Sequence, residues 1–276
     1  MDRTQNIKPF KFVPYLKSVL WGGERIAPYK GIVTDKHQIG ESWEVSGVEG
    51  HESVVAEGDD RGATLPELIR KYRGNLVGDA VYERFGDKFP LLVKIIDAKR
   101  DLSLQVHPDD ELARRRHNSF GKTEMWYIID AEEGAPIYAG LSKEITPEDY
   151  ERMVADNTIM EAVARHDSHP GDLFFLPAGR IHAIGADGKP RELHTELAKD
   201  AIDYRVYDNY KSSYKHIDEG EVELVKCNYF DVRKINVTCA CDIDSSRCDS
   251  FRIIMCLEGA VEIVDNFSNV TEMHRG

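Results

Sequence analysis

A chain of 276 residues with 41% apolar side chains is long enough for one large domain or two modest ones and can bury a real core. Its 36 basic and 49 acidic residues leave a net charge of −13, which argues against nucleic acid and anionic membranes as general partners. Any anionic ligand needs a local basic pocket. The N-terminal MDRTQNIKPFKF has no apolar signal-peptide core, and no uncharged run approaches the ~20 residues that span a bilayer, so a cytoplasmic protein is expected.

In chain order, the first helix expected is TLPELIRKYRG, where Thr64 and Glu67 have capping-box spacing and Gly74 can end the helix. GDAVYERFG reads as a second, shorter helix. Strand signals follow in PLLVKIID, in the strand-like DLSLQV, in EMWYIID and in APIYAGL, separated by Gly, Pro and Asp turns. TPEDYERMVADNTIMEAVARH, residues 146–166, is a helical insertion: Thr146 precedes Pro147 at the first helical position, and Thr158 with Glu161 offers a second start. DLFFLPAG, DYRVYD, VELVKCNYFDVRKINV and FRIIMCLEGAVEIV then return to strand patterns. Many short strands between turn residues predict a mainly β fold, a barrel or sandwich, with this insertion, which the layout of the site motifs narrows to a cupin (jelly-roll) barrel. The softest point is NYKSSYKHIDEGE, which divides a block of residues 1–215 from a smaller β-rich block, 216–276. All five cysteines lie in that last part, at 227, 239, 241, 248 and 256, with no CxxC pair, so free thiols are expected. The spacing of Cys239, Cys241 and Cys248 fits no common structural zinc pattern.

Chemistry concentrates in DLSLQVHPDDE. Successive side chains of an extended chain point to opposite faces, so Gln105 and His107 share one face. Glu124 opens the apolar strand EMWYIID, where a carboxylate beside a core strand wants a partner. His182 follows the Pro177-Ala178-Gly179 turn. A lone strand histidine is usually a hydrogen-bonded structural residue. Together, however, two histidines, a glutamate and a glutamine from separate strands make a ligand set for a divalent metal, zinc or iron, with positions left for water or substrate. Their spacing reproduces the layout of the cupin motifs.

KPFKFVPYLKSVLWGG, GESWEVSG, FPLLVKIIDAKRDLSLQVHP, GKTEMWYIIDA and GDLFFLPAGRIHAIG together resemble the type I mannose-6-phosphate isomerases (phosphomannose isomerases), especially the shorter bacterial form, from about Pro9 to Asp208. The resemblance implies a zinc-dependent cupin that interconverts mannose 6-phosphate and fructose 6-phosphate. By motif position it makes Gln105, His107, Glu124 and His182 the ligands of one zinc per chain and Arg205 an active-site arginine. Lys122 is a second catalytic candidate, and Lys94 and Ser103, on the same short segments, are candidates for binding the substrate phosphate. For all three the bland alternative is a solvated strand edge or turn, although a lysine inside the apolar LLVKII is costly unless partnered. Trp21, Trp43 and Trp126 could wall a sugar site, with core packing as the default.

Two departures matter. The family segment usually reads like EIQQNSDxTYRVYD, whereas this chain has HTELAKDAIDYRVYD, so the general base stays open among Glu196, Asp200, Asp203 and a metal-bound water. At the other end, MCLEGAVEIVDNFSNVTEMHRG reads as the first hairpin of a further sheet, which suggests a shortened second domain or a truncated sequence and leaves monomer and homodimer both open. Two other functions compete: a non-catalytic sugar-phosphate-binding cupin, and a non-haem iron oxygenase using the two-histidine, one-carboxylate set.

Overall fold

The computed structural model describes residues 7–185, 195–245 and 248–276. By proximity of chain segments it divides into two compact units, Met1–Lys99 with Ile243–Gly276, and Arg100–Asp242.

In the first unit, Tyr15–Gly23, Ile39–Ser46 and Leu92–Ile96 form an antiparallel sheet with Ile39–Ser46 in the middle. Flanked on both edges, that strand is buried along nearly its whole length. The expected helix Leu65–Tyr72 starts at Thr64, whose backbone N–H and hydroxyl donate to the Glu67 carboxylate at 2.8 and 2.9 Å. It lays Leu65 and Ile69, one turn apart, against Val45 of the sheet. The second expected helix spans Asp79–Phe85, and Ala260–Val264 pairs with Val270–His274 as a hairpin.

The second unit contains two three-stranded antiparallel sheets. In one, Pro136–Leu141 lies between His182–Ile184 and Val163–Asp167; in the other, Leu173–Leu176 lies between Lys211–Ser212 and Glu124–Tyr127. They pack face to face: Ile137, Ala139 and Ala164 of the first share a core with Phe174 and Leu176 of the second. This is the mainly β arrangement of packed sheets implied by the turn-punctuated strands. Gly140, at φ +77°, is required there, because a Cβ would fall 1.9 Å from the Tyr210 ring. That approach lets the Tyr210 hydroxyl accept from Leu141 N at 3.1 Å and donate to Leu141 O at 2.8 Å. A separate hairpin pairs Gly220–Lys226 with Asp231–Asn236.

The helical insertion is the helix Pro147–Ala155, with Thr146 and Asp149 in a reciprocal capping box, and it buries Tyr150 and Met153 against Leu141, Ile181 and Ala183. The second start gives only the 3-10 turn Ile159–Ala162, because the strand Val163–Asp167 begins at once. Three other segments depart from the strand pattern. DLSLQV is extended but forms one isolated bridge, Gln105 to His182. Leu102 N also donates to Ile184 O at 2.8 Å, so three residues on one side span two on the other, and the extra residue interrupts the ladder. DYRVYD contributes a single parallel bridge, Val206 to Leu141, and FRIIMCL joins no ladder. Among the described residues, no helix is long and apolar enough to cross a membrane.

Candidate metal centre

Three segments distant in sequence are clamped together by their backbones. Gln105 and His182 exchange both N–H···O bonds at 2.8 Å, and Gly179 N donates to His107 O at 2.8 Å. Lys122 N donates to Pro108 O at 3.1 Å, and Gly121 N to the Asp110 carboxylate at 2.9 Å, which brings the start of the Glu124–Tyr127 strand beside His107. Ala178 N, in the turn before His182, donates to Thr123 Oγ1 at 3.3 Å. None of these contacts uses a metal-ligating atom, so the scaffold is fixed independently of any ligand.

On this frame His107, Glu124 and His182 converge, each with one ligating atom within 4.8 Å of the others'. His107 Nε2 is 3.6 Å from Glu124 Oε1, and His182 Nε2 is 3.4 Å from Glu124 Oε2. The His182 ring is buried, with Trp126 edge-on at 5.1 Å between centroids. Its Nδ1 lies 2.8 Å from Arg180 O, and because a carbonyl can only accept, Nδ1 carries the proton. In the neutral ring Nε2 is then a buried lone pair without a hydrogen-bond partner, facing a carboxylate. Two buried acceptors aimed at one point repel; a cation between them satisfies both. Burial raises the Glu124 pKa, but the hydrogen bond and charge that His182 offers when both its nitrogens are protonated, with the charge of Lys122, whose Nζ is 2.6 Å from Oε1, outweigh it and hold the group well below the usual carboxylate range. Imidazole, imidazole and ionised carboxylate fit a divalent transition metal.

The phosphomannose isomerase type I catalytic domain family matches residues 10–135, a span that includes His107 and Glu124. Over 280 residues the chain is 33% identical to mannose-6-phosphate isomerase ManA of Bacillus subtilis (strain 168), covering 91% of this chain and 86% of that protein. The chain belongs to the type I phosphomannose isomerases. Among solved structures, the mannose 6-phosphate isomerase from Bacillus subtilis superposes with a TM-score of 0.80 at 28% identity, covering 97% of this chain and 91% of that one. The mannose 6-phosphate isomerase from Salmonella typhimurium bound to substrate (f6p) and a metal atom (zn) has the same fold, with a TM-score of 0.75 at 15% identity, covering 97% and 92%.

The remaining residues implicated by the resemblance to phosphomannose isomerases stand in several places. Gln105 sits opposite His182 across their bridge, on the side shared by cross-strand partners, with an exposed side chain. Lys122 Nζ is also 3.3 Å from His107 Nε2, so its ammonium already faces the ligand cluster. Ser103 is half-buried on the extended run before Gln105. Lys94, in the first unit, has the partner that its apolar surroundings demand: buried Glu41 accepts from it at 3.2 Å, from Trp43 Nε1 at 2.7 Å and from Lys17 at 3.4 Å. Burial raises the Glu41 pKa, but Lys94, Trp43 and Lys17 together hold it below its ordinary value. Trp21 and Trp43 are buried core residues, and Trp126 packs on His182.

Of the three carboxylates left open as bases, Asp200 is ion-paired to Arg116, and Asp203 grips Arg205 through two bonds, to Nε at 2.7 Å and to Nη2 at 2.9 Å. The Glu196 side chain lies outside the described residues. The sequence reading missed Glu41 and Arg180, which act through a buried carboxylate and a backbone carbonyl. The apolar setting of Lys94 was the one available signal, since it called for an anion somewhere.

Proposed function

We propose that the chain interconverts mannose 6-phosphate and fructose 6-phosphate, with one zinc held by Gln105, His107, Glu124 and His182. The observation that carries this reading is the convergence of His107, Glu124 and the partnerless Nε2 of His182 in a chain of the phosphomannose isomerase family. The Salmonella relative binds f6p and zinc on the same fold, which supports both the sugar phosphate and the metal.

Aldose–ketose isomerisation takes a proton from the carbon next to a carbonyl and returns it to the neighbouring carbon, with negative charge on oxygen in between. When bound, the metal supplies Lewis-acid stabilisation of that charge. Arg205 presents a planar cation to the same developing charge, and Lys122 adds a second cation beside Glu124. Lys94 and Ser103 take the phosphate, which in a chain of net charge −13 needs dedicated donors. Residues 1–215 carry every one of these groups. A cytoplasmic location, as monomer or homodimer, belongs to the same reading.

A coupled isomerase assay with mannose 6-phosphate on zinc-loaded protein tests the proposal. Turnover is expected. Tight sugar-phosphate binding without turnover would instead identify a non-catalytic binder.

A further inference from the structure

We infer that Asp203 is the positioning residue of Arg205: it holds one edge of the guanidinium so that the other is presented in a fixed orientation to the oxyanion of the reacting sugar. This rests on the isomerase reading above and adds a role for a carboxylate that the sequence offers equally well as the general base.

An arginine side chain that is 77% exposed ordinarily samples many rotamers. Here Asp203 accepts from Nε through Oδ1 and from Nη2 through Oδ2, a two-point fork that defines the guanidinium plane. Asp203 is itself fixed. Oδ1 also accepts from Arg205 N at 3.2 Å, Oδ2 from the Tyr207 hydroxyl at 2.8 Å, and its own N–H donates to Gly179 O at 2.8 Å. Both carboxylate oxygens therefore already take two hydrogen bonds each, an arrangement suited to orienting a cation and poor for collecting a proton. Nη1 of Arg205 has no partner among the described residues.

The anchor is tied directly to the metal centre. Gly179 accepts from Asp203 N and donates to the carbonyl of His107, so two backbone hydrogen bonds link the arginine's anchor to a metal-ligand residue. Gly179 sits at φ +85°, and a Cβ there would lie 3.0 Å from Ala201 O and 3.2 Å from Asp203 N, closer than ordinary packing permits. Tyr207, the other partner of Asp203, lies under the guanidinium of Arg180, whose carbonyl orients His182. Arginine anchor and metal ligands thus share one rigid set of contacts.

The test is Asp203→Asn, in which the amide nitrogen opposes the arginine's own N–H and breaks the fork. The expected result is a kcat lower by about tenfold or more with KM within about twofold, and unchanged zinc content. In an Arg205→Lys background, which has no fork, the same substitution should add little, because the two residues act as a unit. A readout independent of activity is the ¹⁵N-resolved Nε–H of Arg205, identified by its absence in Arg205→Lys. It should be protected from exchange in the unmodified protein and lose that protection in Asp203→Asn. Unchanged kcat in Asp203→Asn, an undiminished loss on top of Arg205→Lys, or an unprotected Arg205 Nε–H would each overturn the inference. Disappearance of one limb of the pH–rate profile in Asp203→Asn would do so as well, by making Asp203 the base. If the unmodified protein fails to isomerise mannose 6-phosphate, the isomerase reading falls, and the Nε–H measurement still decides the role of Asp203.

Discussion

His182 Nε2 and Glu124 Oε2 face each other at 3.4 Å while the opposite nitrogen of the same ring donates to the Arg180 carbonyl at 2.8 Å. The carbonyl fixes the tautomer, the tautomer leaves a lone pair pointing at a carboxylate, and that opposition is relieved by a cation. His182→Ala should therefore abolish zinc retention in elemental analysis and remove any zinc-induced rise in Tm. Gln105→Ala should weaken retention less, because an amide oxygen is the poorer zinc ligand. Equal metal content in His182→Ala and the unmodified protein would place the metal elsewhere.

The lysines divide by location. Lys94→Ala should raise KM for mannose 6-phosphate by roughly tenfold, as expected for loss of a charge-assisted contact to phosphate, whereas Lys122→Ala, beside Glu124, should chiefly lower kcat. Turnover of unphosphorylated mannose, where measurable, should hardly change in Lys94→Ala. An equal loss with both sugars would make that lysine a structural partner of Glu41 alone.

Stability should carry the signature of the Asp203 fork. Burial pushes this carboxyl up, but hydrogen bonds from Arg205 and Tyr207 win and bring it down to about 2. A pKa depressed on folding gives stability that is complete above the unfolded value of about 3.9 and is lost as pH falls through the folded value. With Arg205 so exposed, the contribution is on the order of 1 kcal/mol. Urea midpoints of the unmodified protein and Asp203→Asn should differ at pH 6 and converge toward pH 2. A constant gap across that range would contradict the assignment.

The route of the proton is open to an isotope test. If it passes through an enediol held by a protein base, turnover in D₂O should place some deuterium on the sugar, in an amount that reports how well the pocket is shielded. Strictly no label at C1 or C2 over many turnovers would count against that route.

The proposed ligand set was legible in the sequence because each member stands beside its own local signal: the alternation around Gln105 and His107, the opening of an apolar strand at Glu124, and the turn before His182. Capping-box spacing was equally readable at Thr64, and so was the helix start at Thr146 and Pro147. The helix Asp110–His117 was missed, because Pro108 reads as a stop, although Asp109 caps the helix by accepting from Leu112 N at 2.8 Å. Partners created by tertiary contact left almost no trace. Nothing local to Lys94 names Glu41, nothing local to His182 says that the Arg180 carbonyl sets its tautomer, and Asp203 reads as readily as a base as it does as an anchor. Those assignments depend on direction and distance, which composition and periodicity do not encode.

The most direct test of the metal-dependent isomerase is a titration of zinc into metal-stripped protein, followed by the conversion of mannose 6-phosphate to fructose 6-phosphate. The expected result is negligible activity without metal and a linear rise that breaks at about one zinc per chain, in line with a single three-residue cluster supplemented by Gln105. Full activity in the stripped protein, or no activity at any zinc level, would contradict it.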